Sequence, residues 1–154
     1  MEQKSFMQTS MSSLHPIICE SIKDGGQFVF YPSGMSMYPT IKEKEDCVVL
    51  VEAENLQKND LILYLRDNGK YVLHRIISLK NGKYILCGDN QVVYERGITD
   101  SNIIAMAHEI RKPSGKVISL DEIRAYTPTP WQFVIRQIFR IRSLLGRIKR
   151  KIFR

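Results

Sequence analysis

Two Asn-Gly pairs between apolar segments constrain the fold of this chain more than any other feature of its sequence. Asn68-Gly69 separates segments 61–66 and 71–78, and Asn81-Gly82 separates the latter from segment 83–87. Asn and Gly both accept the positive φ of a type I′ turn, so each pair predicts a β-hairpin. The three segments are therefore expected to form an antiparallel meander.

Further segments extend this β prediction on both sides of the meander. These are four segments with the apolar, β-branched composition of strands, namely 27–31, 47–52, 102–111 and 116–120. Residues 12–23 favour a short helix, in which Pro16 confines the regular part to the residues after it. The sequence thus predicts a mainly β, mostly antiparallel body that follows a short N-terminal helix.

The last 24 residues differ from the body in both period and charge. From Trp131 to Ile152 apolar residues recur at steps of three and four, which predicts an amphipathic helix over 131–154. This segment contains eight Lys or Arg residues and no acid, whereas the rest of the chain has 15 basic and 16 acidic residues. The predicted organisation is an N-terminal segment (1–25), a β-domain (26–120), a linker (121–130) and the basic helix (131–154).

The composition excludes several classes of protein. With 44% hydrophobic and 25% charged residues, the chain has enough apolar side chains for a packed core, so disorder is not expected. Its three cysteines are scattered and lack C-x-x-C spacing, so we expect neither a disulfide framework nor a zinc site, and no metal or cofactor. No stretch has the length of a signal-peptide core or of a spanning helix, which predicts a cytoplasmic protein.

Residues 33–41 are the most informative stretch for function. Ser36 follows a predicted strand and lies between Gly34, which lets backbone or substrate approach closely, and Pro39, which restrains the exit of the chain. A serine in so tightly specified a turn is a candidate nucleophile, although many such hydroxyls only cap a turn. The stretch is not a G-x-S-x-G elbow, because Tyr38 stands where the second glycine belongs.

Candidate partners for Ser36 lie on later segments. His74 alternates with Val72 and Ile76 on one face of its strand, and an imidazole with a pKa of about 6.5 suits proton transfer from a serine. The same pattern also fits a histidine that only packs. Asp89, in a Gly-Asp-Asn turn, and Glu95 further along are carboxylates that either cap turns or hold an imidazole in its working tautomer.

Together these motifs resemble the signal peptidase I superfamily, which also includes the self-cleaving repressors. The resemblance covers about residues 28–110 and follows the family's order in five blocks: GMSMYPTI (34–41), KNDLILY (58–64), YVLHRII (71–77), ILCGDN (85–90) and NIIAMA (102–107). It implies a fold of coiled antiparallel β-sheets and a serine endopeptidase that cleaves a peptide, leader or signal segment bound in extended form. Neither the superfamily's N-terminal membrane span nor the repressors' DNA-binding domain is expected here.

The resemblance also implies catalytic roles. Ser36 matches the nucleophile, and His74 matches the general base, which is a lysine in the bacterial housekeeping branch and a histidine in the archaeal and endoplasmic-reticulum branch. Glu95 stands nearest to the position of the orienting acid, where the family has aspartate. We expect Glu95 to orient His74 and Asp89 to support the turn and the base, although these two roles could be exchanged.

The same matches assign the oxyanion hole and the contacts to substrate. The backbone N–H of Ser36 is the expected first donor to the oxyanion, with a second donor near Ser33 or Gly34. Met37 flanks the nucleophile in the family's turn and is expected to contact substrate.

Three functions are compatible with the sequence. The favoured one is a cytoplasmic serine endopeptidase that lies peripherally at the inner membrane surface and has a peptide or protein substrate. The others are a non-catalytic peptide-binding module of the same fold and a component of a membrane complex that processes export signals. The basic helix fits an anionic membrane surface or docks on a core or partner helix, and nucleic acid is not expected as a partner.

We predict that residues 131–154 bind anionic vesicles. Each Lys or Arg near such a surface contributes about 1 kcal/mol, and salt screens this attraction. In co-sedimentation, the full chain should bind anionic vesicles more than neutral ones, and less at high salt, whereas a 1–130 chain should stay in the supernatant. Equal binding by the two chains would contradict the prediction, and unfolding of the 1–130 chain would show instead that the apolar stripe belongs to the core.

Overall fold

The computed structural model describes residues 11–127, which form one antiparallel sheet of eight strands with a short helix at either end. In chain order the helices and strands are α1 (Met11–Ile22), β1 (Phe28–Phe30), β2 (Cys47–Val51), β3 (Leu61–Leu65), β4 (Tyr71–Lys80), β5 (Lys83–Cys87), β6 (Glu95–Ile98), β7 (Ile103–Arg111), β8 (Val117–Ser119) and α2 (Leu120–Arg124). The prediction of a mainly β fold with a short N-terminal helix is confirmed. The predicted helix 131–154 lies outside the described residues.

The sheet joins the chain's early strands to the meander through a later strand. Its order is β1-β2-β7-β3-β4-β5-β6, β8 pairs with β7, and each pairing is antiparallel. Strand β7 lies between β2 and β3, so the segment before the serine stretch and the meander belong to one sheet. Strands β1 and β6 end the sheet on its two sides.

The core is divided between the two faces of the sheet because side chains alternate along each strand. On one face Leu63 and Leu73 pack in a cluster that also contains Ile18 of α1. On the other face Tyr64 and Ile76 pack in a second cluster. Strand β4 therefore contributes to both clusters, and His74 shares the face of Ile76.

The two predicted hairpins form, but only one has the predicted type of turn. Asn81 and Gly82 both have positive φ (53° and 67°), as a type I′ turn requires. In the first hairpin only Gly69 has positive φ (77°), and its N–H donates to the carbonyl of Arg66 over 2.9 Å. The connection between β3 and β4 is longer than the two residues of a type I′ turn. A four-residue turn over 66–69, which ends in a glycine with left-handed φ, takes its place.

Strand β6 is the one element of the sheet that the sequence did not predict. Its sequence, Glu95-Arg96-Gly97-Ile98, lacks apolar alternation, and Gly97 has a φ of 84°. Pairing with β5 nevertheless brings Glu95 opposite Leu86. None of the helices within residues 11–127 is long and apolar enough to cross a membrane.

Candidate active site

Ser36 lies in the loop between β1 and β2, and its apolar neighbours fix that loop in the core. Met37 and Ile41 are both buried. Two turns form the loop: the N–H of Tyr38 donates to the carbonyl of Met35 over 3.2 Å, and the N–H of Ile41 donates to that of Met37 over 2.9 Å. Buried side chains and backbone turns next to Ser36 therefore hold the loop.

The polar groups that a nucleophile needs are available at Ser36. The residue is half-buried. Among residues 11–127, neither its hydroxyl nor its backbone N–H makes a hydrogen bond, whereas its carbonyl accepts one from the N–H of Asn90 over 2.8 Å. The hydroxyl is free to attack, and the N–H is free to stabilise an oxyanion.

Gly34 is required by the backbone conformation of this loop. It has a φ of 93°, in the left-handed region that side chains disfavour, and no atom of the described residues lies within 4 Å of where a Cβ would stand. Of the two expectations for Gly34, a close approach of neighbouring backbone does not occur within the described residues, whereas the approach of substrate stays a prediction, for which the space beside Gly34 is open.

Five of the predicted site residues meet at one pocket of about 220 Å³. Ser36 and His74 both line it, and so do Ser33, Gly34 and Met37. The nucleophile and base candidates come from the β1–β2 loop and from β4, which are 38 positions apart in sequence. The fold thus brings the predicted nucleophile, base, oxyanion and substrate-binding positions to a single cavity, whose lining does not include Glu95 or Asp89.

A second and more open pocket of about 600 Å³ adjoins the first. Arg66 and Gln91 line both pockets. Glu95 lines the second pocket together with Val93, which is 70% exposed and so leaves an apolar surface beside the site.

The structure brings Glu95 to His74. Glu95 Oε1 lies 3.1 Å from His74 Nδ1, and the hydroxyl of Tyr64 lies 3.1 Å from the same nitrogen. Glu95 is also held by Arg66, whose Nε donates to Oε2 over 2.7 Å and whose Nη2 donates to Oε1. The carboxylate therefore contacts the base on one side and a guanidinium on the other.

These contacts favour one tautomer of His74. Glu95 only accepts hydrogen bonds when it is ionised. An ionised carboxylate 3.1 Å from Nδ1 favours the tautomer with the proton on that nitrogen, which leaves the lone pair on Nε2. Nε2 is buried and makes no hydrogen bond within residues 11–127, so it is available to accept a proton.

The electrostatics keep His74 neutral and Glu95 ionised. Burial has the largest effect on the pKa of His74 and lowers it; the charges of Glu95 and Asp89 raise it, the charge of Arg66 lowers it, and the resulting pKa is about 4. Burial alone would raise the pKa of Glu95, but hydrogen bonds from Arg66 and Tyr64 lower it below the ordinary value. Burial and Glu95 also raise the pKa of Tyr64, so its phenol stays protonated.

Asp89 lies in a buried ion pair with Arg75. Nε and Nη2 of Arg75 each donate to one oxygen of Asp89 over 2.8 Å, and both side chains are only 1% exposed. Arg75 Nη1 donates to the carbonyls of Asn59 (2.8 Å) and Ile123 (3.0 Å), and the ring of Tyr126 lies 3.8 Å from its guanidinium carbon. A buried charge needs such complete pairing.

Asp89 also ties the Ser36 loop to the end of β5. The hydroxyl of Thr40 donates to Asp89 Oδ2 over 2.5 Å, and the side-chain amide of Asn90 donates to the carbonyl of Met35 over 3.1 Å. From the other side, Lys112 Nζ donates to the carbonyl of Thr40 over 2.7 Å. The loop is thus held at Met35 and at Thr40. Asp89 supports its position, and the negative charge of Asp89 also raises the pKa of His74.

Gly88 allows the Ser36 loop and His74 to come together. A Cβ at Gly88 would stand 2.5 Å from the carbonyl oxygen of Ser36 and 3.1 Å from His74 Nε2. Because real Cβ atoms essentially never approach a backbone oxygen that closely, any larger residue must displace the loop. The Nε2 lone pair consequently lies beside the backbone of the nucleophile candidate.

Three side chains of this site were missed by the sequence analysis: Tyr64, Arg66 and Arg75. A signal for the first two was present, because the hairpin pairs Tyr64 with Val72 and the period of two places Arg66 and His74 on that same face. Arg75 carried a different signal. A charge in the middle of an apolar strand requires a buried acidic partner.

The chain matches no protein-family model and no curated protein. The resemblance to the signal peptidase I superfamily therefore stays a prediction from the motifs. The geometry described above is independent of that resemblance.

We predict that Gly88→Ala detaches the Ser36 loop from the end of β5. The added methyl group should cost about 1–3 kcal/mol of unfolding free energy, the usual cost of overpacking, and should speed amide hydrogen exchange at Asn90, whose N–H binds the Ser36 carbonyl. Gly69→Ala is the matched control, since it adds a methyl group in open space at a positive φ. The control should lose stability without changing exchange at Asn90, and equal protection of Asn90 in both variants would refute the prediction.

Proposed function

We propose that this protein is a serine endopeptidase that cleaves peptide or protein segments through Ser36, His74 and Glu95. The observation that carries the proposal is the buried Nε2 of His74, which lies beside the Ser36 loop and makes no hydrogen bond within residues 11–127, with Glu95 beside the other ring nitrogen. A histidine that only packs would need neither an ionised acid beside Nδ1 nor a place in the lining of the pocket that contains Ser36. The motif resemblance supports the same reaction class.

The proposed mechanism uses each group in the role that its position supports. Ser36 Oγ attacks the scissile carbonyl carbon while His74 Nε2 takes the hydroxyl proton, and the tetrahedral oxyanion accepts a hydrogen bond from the Ser36 N–H. The C–N bond then breaks, the amine leaves with the proton from His74, and an acyl-enzyme remains. Water, deprotonated by His74, hydrolyses the ester and regenerates Ser36. Glu95 stabilises the imidazolium that forms at each step.

The pockets on either side of the reacting groups suit an extended peptide. The smaller pocket is lined by apolar Met37 and Leu73 beside Ser36, and the larger one opens beside Glu95. A substrate chain that crosses Ser36 would place side chains in both. The proposed substrate is therefore an unfolded segment rather than a folded surface.

The proposed location is the cytoplasmic face of a membrane. It rests on the basic segment 131–154 of the sequence and on the exposed apolar side chains Met35 and Tyr38 in the Ser36 loop. A peptide-binding module and a subunit of an export-signal processing complex are the alternatives, and both predict a protein in which the isolated chain does not cleave peptides.

We predict that Ser36→Ala and His74→Ala each reduce kcat/KM by roughly 10⁴-fold or more, and that the double variant is little worse, because the two groups act as a unit. Cleavage of a library of unstructured peptides, followed by mass spectrometry, gives the rates. Ser114→Ala is the control, since Ser114 is exposed in the turn before β8. Undiminished cleavage by a folded Ser36→Ala protein would disprove the nucleophile, and no cleavage by the unaltered chain would favour the two alternatives over the peptidase.

We also predict that activity persists to unusually low pH. Only neutral His74 accepts the serine proton, so kcat/KM should fall as pH drops through about 4, the pKa of the buried imidazole, rather than through the ordinary value of about 6.5. Between these pH values the unfolded chain binds more protons than the folded one, so the unfolding free energy must also fall as pH decreases from about 6.5 to about 4. Circular dichroism at each pH separates the two effects, and an acid limb near 6.5 in a folded protein would contradict the assignment.

A further inference from the structure

We propose that Arg66 is a positioning residue of this site, whose charge on the shared Glu95 carboxylate sets the lowest pH at which His74 acts as a base. This inference rests on the proposed function. Arg66 contacts neither Ser36 nor His74 by a hydrogen bond in the part of the chain that the structure describes, so its action on the base passes through Glu95 and through space.

The geometry of the Glu95 carboxylate carries the proposal. Oxygen Oε1 accepts from Arg66 Nη2 and lies 3.1 Å from His74 Nδ1, while Oε2 accepts from Arg66 Nε over 2.7 Å. The guanidinium thus binds both oxygens in a planar fork, which fixes the orientation of the carboxylate toward the imidazole. It also places a permanent positive charge against the negative charge that would otherwise stabilise a protonated His74.

The charged and titratable groups that face His74 come from three sides of the site. Tyr64 and Arg66 belong to β3 and the turn after it, Glu95 begins β6, and Asp89 follows β5. Glu95 and Asp89 favour the imidazolium, whereas Arg66 disfavours it. Tyr64 stays neutral because burial and Glu95 raise its pKa. Arg66 is therefore the cation of this set that opposes protonation of the base.

Two substitutions separate the effect of the paired hydrogen bonds from Arg66 to Glu95 from the effect of the Arg66 charge. Arg66→Gln keeps a donor to Glu95 and removes the charge, so the ionised Glu95 acts on His74 uncompensated. Arg66→Lys keeps the charge but cannot bind both carboxylate oxygens in a plane. Arg96→Gln is the matched control, because Arg96 follows Glu95 directly and is exposed.

The experiment is a titration of the His74 ring in the full chain by NMR, with the His74 signals assigned from a His74→Gln spectrum. Arg66→Gln should raise the titration midpoint of His74 by roughly one pH unit or more, as expected when a neighbouring like charge is removed. Arg66→Lys and Arg96→Gln should leave the midpoint within a few tenths of a unit. The acid limb of peptide cleavage should rise with the midpoint in Arg66→Gln, and Arg66→Lys should lower the plateau rate without moving that limb.

The remaining outcomes test the role of Arg66 and the proposed peptidase activity separately. A midpoint that does not rise in Arg66→Gln, or that rises equally in Arg96→Gln, overturns the role of Arg66. Arg66→Met is the second neutral variant; if both neutral variants fail to fold while Arg66→Lys folds, Arg66 serves the fold and the proposal also fails. If the midpoint rises as expected but no form of the protein cleaves a peptide, the action of Arg66 on His74 stands and the proposed peptidase is refuted.

Discussion

The buried ion pair of Arg75 and Asp89 is the interaction on which the arrangement of this site depends. It joins the centre of β4, one residue after His74, to the turn that follows β5. The remaining donors of Arg75 hold the chain before β3 and the end of α2. Removing one partner of such a pair typically costs about 3–5 kcal/mol, because the other charge stays buried. The pair therefore fixes the relative positions of the strand that carries His74, the proposed base, and the turn that supports Ser36, the proposed nucleophile.

The Ser36 loop is held against this pair and the turn that contains Asp89 by its own hydrogen bonds. Asp89 accepts a hydrogen bond from the hydroxyl of Thr40, and Lys112, which directly follows β7, donates to the carbonyl of Thr40. Lys112 is itself paired with the buried Asp46 over 2.5 Å. Asp89 and Lys112 thus hold the loop at Thr40. The hydroxyl and N–H of Ser36 take no part in these contacts and are unpaired among the described residues. Pre-organised, unpaired polar groups beside a cavity are what nucleophilic catalysis requires.

Much of this architecture could be predicted from local patterns in the sequence. Apolar segments and Asn-Gly turns gave seven of the strands to within a residue or two at each end, because strand alternation and turn chemistry are local properties. Strand β6 escaped prediction because its pairing with β5 overrides a sequence without alternation. The contacts of Arg66 and Tyr64 with the Glu95–His74 pair also escaped, since they depend on how β6 meets the β3–β4 hairpin. The motif resemblance implied Glu95 as the acid beside His74 and Asp89 as a supporting residue, with the roles open to exchange, and the folded chain holds Glu95 at His74 and Asp89 at Arg75.

The central claim is that the fold activates Ser36 through His74. Reaction of the full chain with a fluorophosphonate, followed by intact mass measurement and peptide mapping, tests this directly because such reagents modify serines that a neighbouring base activates. The account predicts a single adduct on Ser36 that forms far more slowly in His74→Ala and not at all in Ser36→Ala. A folded protein that forms no adduct, or that is modified equally well without Ser36, would contradict the account.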